Sequence, residues 1–393
     1  MDNTPDETNL TLDVRKLTKK LVKYNTTSSK SNIKLVEYLQ SLLVGLGFDV
    51  TIQKHPYSVN KANIIARAGP RDVEQFMFSG HTDTVPVGVQ HLWKSKPLVL
   101  TEDKEKPGLL FGRGSVDMKG SIAAMICAIA PLLPRAKEFK RELILGFTYD
   151  EEVGLLGAKH LVKSGLIKPR YALVGEPTLM RPVRMHKGNI YLRAECRGVS
   201  GHASNPKSGI SAIDIGSQVL ERLQKFAKDL ETQTNEEYDV PFATLNVGMI
   251  KGGTKTNVIA ENCVIEFNVR PIYGQKWKSI VSDLDTLLRE IGEHDNQPLV
   301  SLHLTRRPTE PVTTDVDSLI VKVAKEVTGS SAGGASYSTD ASILQLMGTE
   351  CIILGPGDIA QAHKPNEFVA AAQLEAAVIV FRKIAEKMCL NTQ

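Results

Sequence analysis

The sequence predicts an α/β fold, in which a mostly parallel sheet flanked by helices is interrupted by a smaller two-layer α+β domain. In the first half, short apolar runs alternate with segments that carry apolar residues at helical spacing. This alternation is typical of a parallel sheet covered by helices. After Pro182 the pattern changes to alternating strands and long amphipathic helices, and near Val300 the first pattern returns. We therefore predict one α/β domain from residues 1–185 and 298–393, with a second domain, 186–297, inserted into it.

The elements of the predicted α/β domain follow from local patterns. Helical spacing, or a run of small apolar residues, predicts helices at 12–24, 32–46, 119–131, 153–164 and 370–388. Gly47 ends the second of these, because glycine is common just after a helix. Short apolar runs predict strands at 49–53, 63–68, 76–79, 143–148, 171–174 and 351–354.

The predicted insert contains a different set of elements. Alternating apolar and polar residues predict strands at 190–197, 243–250 and 263–270, and amphipathic spacing predicts helices at 210–230 and 277–291. Such strands are typical of an antiparallel sheet with one face in the core. The apolar stripe of 210–230 fits either the core of the insert or an interface between two copies of the chain.

Composition narrows the class of protein. The 393 residues include 48 Lys or Arg and 44 Asp or Glu, a net charge of +4, and the charges of both signs are interleaved. The sequence contains no basic block of the kind that would indicate a nucleic-acid partner. The longest uncharged apolar stretch, 120–133, is too short to span a bilayer, and acids near the N-terminus argue against a secretory signal. We expect a cytoplasmic protein without a membrane or nucleic-acid partner.

Cysteine usage agrees with that expectation. The five cysteines are odd in number and widely spread, and no two have the spacing of a CxxC motif. Buried free thiols in a reducing compartment explain this pattern better than a disulfide framework.

Side chains that bind metals follow several of the predicted strands. In chain order they are His81, Asp83, Asp117, Glu151, Glu152, Glu176 and His363. The carboxyl ends of parallel strands meet at one edge of a sheet, where ligands usually bind. Two imidazoles with several carboxylates suit a pair of divalent cations, most plausibly Zn²⁺. Two such cations can activate a water and polarise a carbonyl at the same time.

Each of these residues alone has a simpler explanation. His81 and Asp83 could be a hydrogen-bonded surface pair, although in a metal site Asp83 would accept from the free ring N–H of His81. Asp117 could cap the following helix. Glu176 before a proline could be a turn residue, the pair at 151–152 could be a solvated face, and His363 could lie in an ordinary loop. Their joint occurrence at strand ends favours the metal site.

Five motifs resemble those of a known family. They are Gly80-His81-Thr82-Asp83, Gly114-Ser115-Val116-Asp117-Met118-Lys119-Gly120, Asp150-Glu151-Glu152, Gly175-Glu176-Pro177 and Ser200-Gly201-His202-Ala203. In this order they resemble the di-zinc metallopeptidases of family M20, such as carboxypeptidase G2 and succinyl-diaminopimelate desuccinylase, over nearly the whole chain. The segments 175–178, 181–188, 241–253 and 354–363 are similar to the acetylornithine deacetylase branch of the family.

The resemblance implies a role for each ligand. His81 and Glu176 would bind one metal, Glu152 and His363 would bind the other, and Asp117 would bridge them. Each subunit would hold two Zn²⁺ ions, with Co²⁺ as a possible replacement.

The resemblance implies three further features of the site. Glu151 would be the general base that takes a proton from the attacking water and later delivers it to the leaving amine. The peptide bond between Asp117 and Met118 would be cis. The partner subunit of a homodimer would supply His202 to stabilise the developing oxyanion; without the family context, His202 reads as an ordinary turn histidine.

Substrate selection is expected to involve the insert. Arg270 and Lys187, aided by Asn257, are candidates to bind a substrate carboxylate, since a guanidinium can hold it at two points. A strand-surface salt bridge is an equal alternative for each cation. Asp340 could face a cationic substrate side chain, although an N-cap of the following helix is the stronger interpretation.

The resemblance therefore implies removal of the acetyl group from N²-acetyl-L-ornithine, giving acetate and ornithine for arginine synthesis. The alternatives within the class are a desuccinylase, an acetyl-lysine or acetyl-citrulline deacetylase, and a small peptidase. A non-catalytic scaffold on the same fold is a remote alternative, because the expected base and all the expected ligands are present.

Overall fold

A computed structural model describes residues 12–390 of the chain. It divides into two compact units. The first contains the residues up to Arg184, Thr314–Gly333 and the residues from Thr339 onward, and the second contains Met185–Thr313 and Gly334–Ser338.

The regular elements are numbered in chain order. The strands are β1 (Asp49–Lys54), β2 (Ala62–Ala68), β3 (Gln75–His81), β4 (Thr101–Glu102), β5 (Leu109–Phe111), β6 (Glu142–Thr148), β7 (Tyr171–Val174), β8 (Val183–His186), β9 (Ile190–Arg197), β10 (Thr244–Gly252), β11 (Asn262–Arg270), β12 (Glu293–His294), β13 (Gln297–Pro298), β14 (Val300–Leu304), β15 (Val312–Thr313), β16 (Gly333–Ala335), β17 (Glu350–Ile353) and β18 (Phe368–Ala370). The helices are α1 (Val14–Val22), α2 (Ile33–Gly45), α3 (Lys119–Ile129), α4 (Leu156–Ser164), α5 (Ala212–Leu230), α6 (Trp277–Arg289), α7 (Leu319–Thr328), α8 (Ala341–Leu344) and α9 (Ala371–Cys389).

The first unit is built on a mixed sheet in which β1-β2-β6-β3-β7-β17 lie in this order. The strands β6, β3, β7 and β17 are parallel to one another, whereas β1 and β2 pair antiparallel at one end and Ile353 of β17 pairs antiparallel with Val183 at the other. Every residue of β6 and β7 is buried, as expected for strands covered on both faces. This confirms the predicted α/β fold with a mostly parallel central sheet.

Helix α3 lies in the core of this unit. All of its residues are buried, and it packs against α1 and α9. The helical stretch Lys119–Glu138 is long and apolar enough to cross a membrane by length and composition. Buried core helices meet the same criterion, so a single stretch of this kind among the described residues is weak evidence for a membrane span.

The second unit has an antiparallel sheet with the order β10-β11-β9-β14. In β9 and β11 buried residues alternate with more exposed ones, so one face of the sheet lies in a core. Helices α5 and α6 complete that core with Ile215, Val219, Leu223 and Leu284. The apolar stripe of α5 therefore lies within its own unit.

The second unit continues beyond the predicted insert of 186–297. The sequence predicts residues 300–304 in the α/β domain, but they form β14 and pair with β9, from Val300 opposite Cys196 to Leu304 opposite Leu192. A short alternating strand fits either sheet by its pattern alone, and only the pairing decides between them.

All five cysteines, Cys127, Cys196, Cys263, Cys351 and Cys389, are free and buried. Cys196 and Cys263 face each other across β9 and β11 without forming a disulfide. Burial raises the pKa of the Cys351 thiol to about 12, which keeps it protonated and unreactive. The prediction of buried free thiols is confirmed.

Candidate metal centre

The five candidate ligands form two groups that share one carboxylate. His81, Asp117 and Glu176 form the first group, and Asp117, Glu152 and His363 form the second. In each group the potential ligand atoms all lie within 4.8 Å of one another.

The parallel strands bring three of these residues together. His81 is the last residue of β3, Glu152 follows the end of β6, and Glu176 follows the end of β7. Because β3 is parallel to both neighbours, these strand ends meet at one edge of the sheet.

The other two ligands come from loops that a small sheet holds together. Asp117 lies between β5 and α3, and its peptide bond to Met118 is cis, as expected. His363 has a left-handed backbone conformation (φ 63°) and precedes β18. Strands β5 and β18 are antiparallel partners, with Phe111 opposite Phe368.

The two oxygens of Asp117 face different imidazoles. Its Oδ1 lies 2.8 Å from His81 Nε2, and its Oδ2 lies 3.0 Å from His363 Nε2. Burial opposes the charged carboxylate, but the hydrogen bonds from His363 and His81 outweigh it and lower the pKa of Asp117. A carboxylate held between two imidazoles in this way is suited to bridging two cations.

The outer carboxylates complete the two groups. Glu152 Oε2 lies 3.1 Å from His363 Nε2, and Glu176 Oε1 lies 3.7 Å from His81 Nε2. Burial, followed by the charge of Asp117, raises the pKa of Glu176 well above its usual range. Hydrogen bonds to Asp117 and Glu152 raise the pKa of His363 to about 10 in the metal-free site.

Asp83 contacts His81 differently from the prediction. The Nδ1–H of His81 is directed at the backbone carbonyl of Asp83, 3.0 Å away, whereas the Asp83 carboxylate lies 3.6 Å from that nitrogen. The carboxylate accepts instead from the backbone N–H of Glu151 (3.1 Å) and Glu152 (3.4 Å) and from the Ser28 hydroxyl (2.7 Å). The residue still fixes the His81 ring, but its side chain orients the loop that carries the two glutamates.

The carboxyl group of Glu151 interacts electrostatically with residues of both ligand groups. Burial raises its pKa well above the usual range; the nearby His81 opposes this, and the charges of Glu176 and Glu152 add to it. A raised pKa makes a carboxylate a stronger base, which favours general acid–base catalysis.

The predicted substrate-binding residues lie in the second unit. Arg270, at the end of β11, donates from Nε to Asn268 Oδ1 (3.2 Å) and from Nη1 to the carbonyl of Ser336 (3.3 Å). Lys187 is fully buried, and its Nζ donates to the carbonyl of Phe242 at 2.5 Å. Burial lowers the pKa of Lys187 to about 8. Arg270 is therefore the better placed of the two to receive a carboxylate.

His202 and Asn257 lie side by side on exposed loops of the same unit. His202 forms an isolated β-bridge with Val258, and its Nδ1 is 2.7 Å from the Ser204 hydroxyl. The carbonyl of Asn257 accepts from the backbone N–H of Ala203 at 3.2 Å. Both side chains are accessible to a ligand or to another subunit.

Asp340 occupies the N-cap position of α8, as expected, but makes no side-chain capping bond. Its Oδ2 accepts from the Thr148 hydroxyl at 2.7 Å instead. The side chain is buried, and burial raises its pKa to about 6. It is thus part of the buried interior next to the end of β6, and its contact with a cationic substrate side chain stays a prediction.

Sequence reasoning missed the interactions that support the ligand loops. Ser28 contacts Asp83, Lys61 forms a buried ion pair with Asp150, and Glu367 pairs with Arg113. The partners in each pair are far apart along the chain, so no local pattern connects them. The one available signal was proximity, since Arg113 precedes Asp117 and Glu367 follows His363 by four residues.

Comparison with known proteins agrees with this geometry. The model of peptidase family M20/M25/M40 matches residues 77–387, most of the chain. The chain belongs to this family. Similar members include an acetylornithine deacetylase from Myxococcus xanthus, 36% identical over 94% of this chain and 96% of the relative. One from Proteus mirabilis is 32% identical over 92% of each.

Solved structures show the same fold. A tripeptidase from Staphylococcus aureus has a TM-score of 0.76 at 22% identity and covers 95% of this chain and 97% of its own. An M20 family metallo-carboxypeptidase from Sulfolobus solfataricus also has a TM-score of 0.76, at 16% identity over 95% and 98% of the two chains. As an M20 family member the chain is an enzyme, a metal-dependent amide hydrolase.

Proposed function

We propose that this hydrolase removes the acetyl group from N²-acetyl-L-ornithine, releasing acetate and L-ornithine for arginine biosynthesis. The observation that carries the hydrolytic part is the Asp117 carboxylate held between His81 and His363. The choice of substrate is supported by the relatives named acetylornithine deacetylase, which are 30–36% identical over at least 92% of the chain.

The donor set fits two divalent cations. His81, Asp117 and Glu176 would hold one, and Asp117, Glu152 and His363 would hold the other. Imidazole and carboxylate donors without cysteine suit catalytic Zn²⁺, with Co²⁺ as an alternative. When bound, such a pair supplies the positive charge that acidifies water and polarises an amide carbonyl.

Glu151 moves the protons in this proposal. Its carboxylate takes a proton from the water that attacks the amide carbon, and the same group then delivers that proton to the leaving amine nitrogen. Its raised pKa supports this double role, because a carboxylate whose pKa is raised is a stronger base than a free carboxylate. Asp83 keeps Glu151 in place through the hydrogen bond from the Glu151 backbone.

The second unit recognises the substrate in this proposal. Arg270 would bind the α-carboxylate, because its guanidinium presents several donors in a fixed plane. Asn257 would add a hydrogen bond, and Lys187 would add positive charge. Lys187 would first have to release the carbonyl of Phe242 to make direct contact.

We further propose that the enzyme acts as a homodimer in the cytoplasm. The exposed imidazole of His202 would donate to the oxyanion that forms in the other subunit's site. The five buried free thiols support a reducing compartment.

A substrate panel combined with metal analysis tests the proposal. The purified protein should contain about two equivalents of Zn²⁺ per chain. It should hydrolyse acetylornithine faster than acetyl-lysine, acetyl-citrulline, succinyl-diaminopimelate or small peptides. Faster hydrolysis of any competitor would move the assignment to that substrate. If the protein kept both its metal and its activity after treatment with a chelator, the metal site would be refuted.

A further inference from the structure

A buried ion pair lies next to the proposed metal site. Arg113 Nη1 donates to Glu367 Oε2 at 2.5 Å, and both side chains are at most 2% exposed. Burying a guanidinium and a carboxylate is costly unless both are well satisfied. This cost raises the question of what else the pair contacts.

The remaining bonds of Glu367 reach the loop that carries the shared ligand. Its Oε1 accepts from the backbone N–H of Val116 at 3.0 Å and of Asp117 at 3.3 Å. Its own carbonyl accepts from the N–H of Gly112 at 2.9 Å. Glu367 therefore binds the backbone of Asp117 and of Val116, the residue before it.

Arg113 extends the connection to the loop after β3. Its Nη2 donates to the carbonyl of Pro86 at 3.1 Å, and its guanidinium lies over the ring of Trp93, 5.3 Å from the centroid. The neighbouring Asn366 also bonds this region, accepting from the N–H of Lys94 at 2.7 Å.

These bonds connect three ligand-bearing loops. Pro86 follows His81, Arg113 precedes Asp117, and Glu367 follows His363 within the same loop. We infer that the Arg113–Glu367 pair is a positioning element of the metal site, which sets the separation of these loops so that Asp117 faces both imidazoles. The pair contacts no metal ligand side chain and acts through the backbone.

The inference explains why the pair is charged. The backbone N–H groups of Val116 and Asp117 are buried donors, and a carboxylate is a stronger acceptor for them than a neutral group. Arg113 pairs with that carboxylate through Nη1 and binds the carbonyl of Pro86 through Nη2, and the fixed plane of the guanidinium, which lysine lacks, sets the spacing of the two contacts. Interactions of this kind orient ligands and typically contribute about 10–100-fold to metal affinity.

The test compares Glu367→Gln with a matched control, Glu142→Gln. Glu142 is equally buried, and its carboxylate accepts from Arg67 (2.7 Å) and Gln75 (2.9 Å) at the opposite end of β6 from Glu152. It contacts none of the ligand loops described here. Co²⁺ is titrated into the full-length metal-free proteins, and binding is followed by absorption and calorimetry, with thermal unfolding measured in parallel.

We expect both variants to melt at lower temperature, but only Glu367→Gln to bind Co²⁺ about 10–100-fold more weakly. Arg113→Lys should weaken binding less and remains informative if Glu367→Gln does not fold. Co²⁺ affinities equal to the parent in the folded variants, or the same loss in Glu142→Gln, would overturn the inference. The inference rests on the proposed metal site, and a parent protein that binds no Co²⁺ would refute that site instead.

Discussion

The backbone N–H of Glu151 donates to Asp83 Oδ1 at 3.1 Å, which links the proposed base to the residue that orients His81. Asp83 contacts His81 through its backbone carbonyl, and its carboxylate accepts from the backbone of Glu151 and Glu152. Removal of the Asp83 carboxylate should therefore disturb the loop that carries Glu151 and Glu152, which couples a loss of stability to a loss of turnover.

Replacement of Asp83 by Asn tests this coupling. The amide nitrogen of Asn would face buried N–H donors, leaving at least one of them unpaired, and an unpaired buried donor costs about 1–3 kcal/mol. We expect a lower free energy of unfolding in urea together with a loss of kcat. Ser28→Ala, which removes one hydroxyl bond to the same carboxylate, should have a smaller effect on both. A stable Asp83→Asn enzyme with parental kcat would contradict the coupling.

Replacement of Glu151 by Ala should separate metal binding from catalysis. The variant should retain its metals, because Glu151 belongs to neither ligand group. Its kcat should fall by about 10²–10⁴-fold, the usual contribution of a positioned base. Metal analysis and steady-state kinetics provide the two measurements, with the exposed Glu138→Gln as control. Substantial residual turnover would remove Glu151 from the proposed mechanism.

Metal binding should release protons. In the metal-free protein the pKa of His363 is about 10, so its imidazole is protonated at pH 7.5 and must lose that proton to bind a cation. The raised pKa of His81, where bonds to nearby carboxylates outweigh burial, acts in the same direction. Apparent Zn²⁺ affinity should therefore rise with pH between about 6 and 10. Calorimetry in buffers of different ionisation enthalpy measures the protons released, and a value of zero would be inconsistent with this charge state.

Sharing of His202 between subunits can be tested by complementation. Chains carrying His202→Ala and chains carrying Glu151→Ala should each be nearly inactive, because each lacks one required group. Mixed dimers contain one site with both groups intact, so remixing should restore up to about a quarter of parental activity for random pairing and one active site in each mixed dimer. Recovery should depend on exchange of subunits, followed by size-exclusion chromatography. No recovery after demonstrated exchange would argue that His202 acts within its own chain or not at all.

Much of the fold could be predicted because individual helices and strands show their own spacing of apolar residues in the sequence. The strand predicted at 190–197 matches β9, and the helix predicted at 277–291 begins where α6 begins. The sheet to which β14 belongs could not be predicted, because Val300 and its neighbours fit either sheet until a partner strand is known.

The residues of the candidate site also fall into those that the sequence predicts and those that it does not. The candidate metal ligands are histidines and carboxylates, and three of them lie at or just after strand ends, so they can be proposed from the sequence. The role of Asp83 changed because its loop turns a carbonyl, and not the carboxylate, toward His81. Glu367 has no signature beyond its proximity to His363, since a glutamate that accepts from backbone N–H groups looks like any surface glutamate until the fold is known.

The direct pairing of Phe111 with Phe368 limits where residues can be inserted into the chain. A single added residue between Phe111 and Asp117 would have to be absorbed inside a fully buried segment. The turn between β1 and β2 has no such constraint, because Tyr57 and Val59 are 93% and 90% exposed. Peptide tags or fluorescent labels intended to leave the enzyme intact belong in that turn.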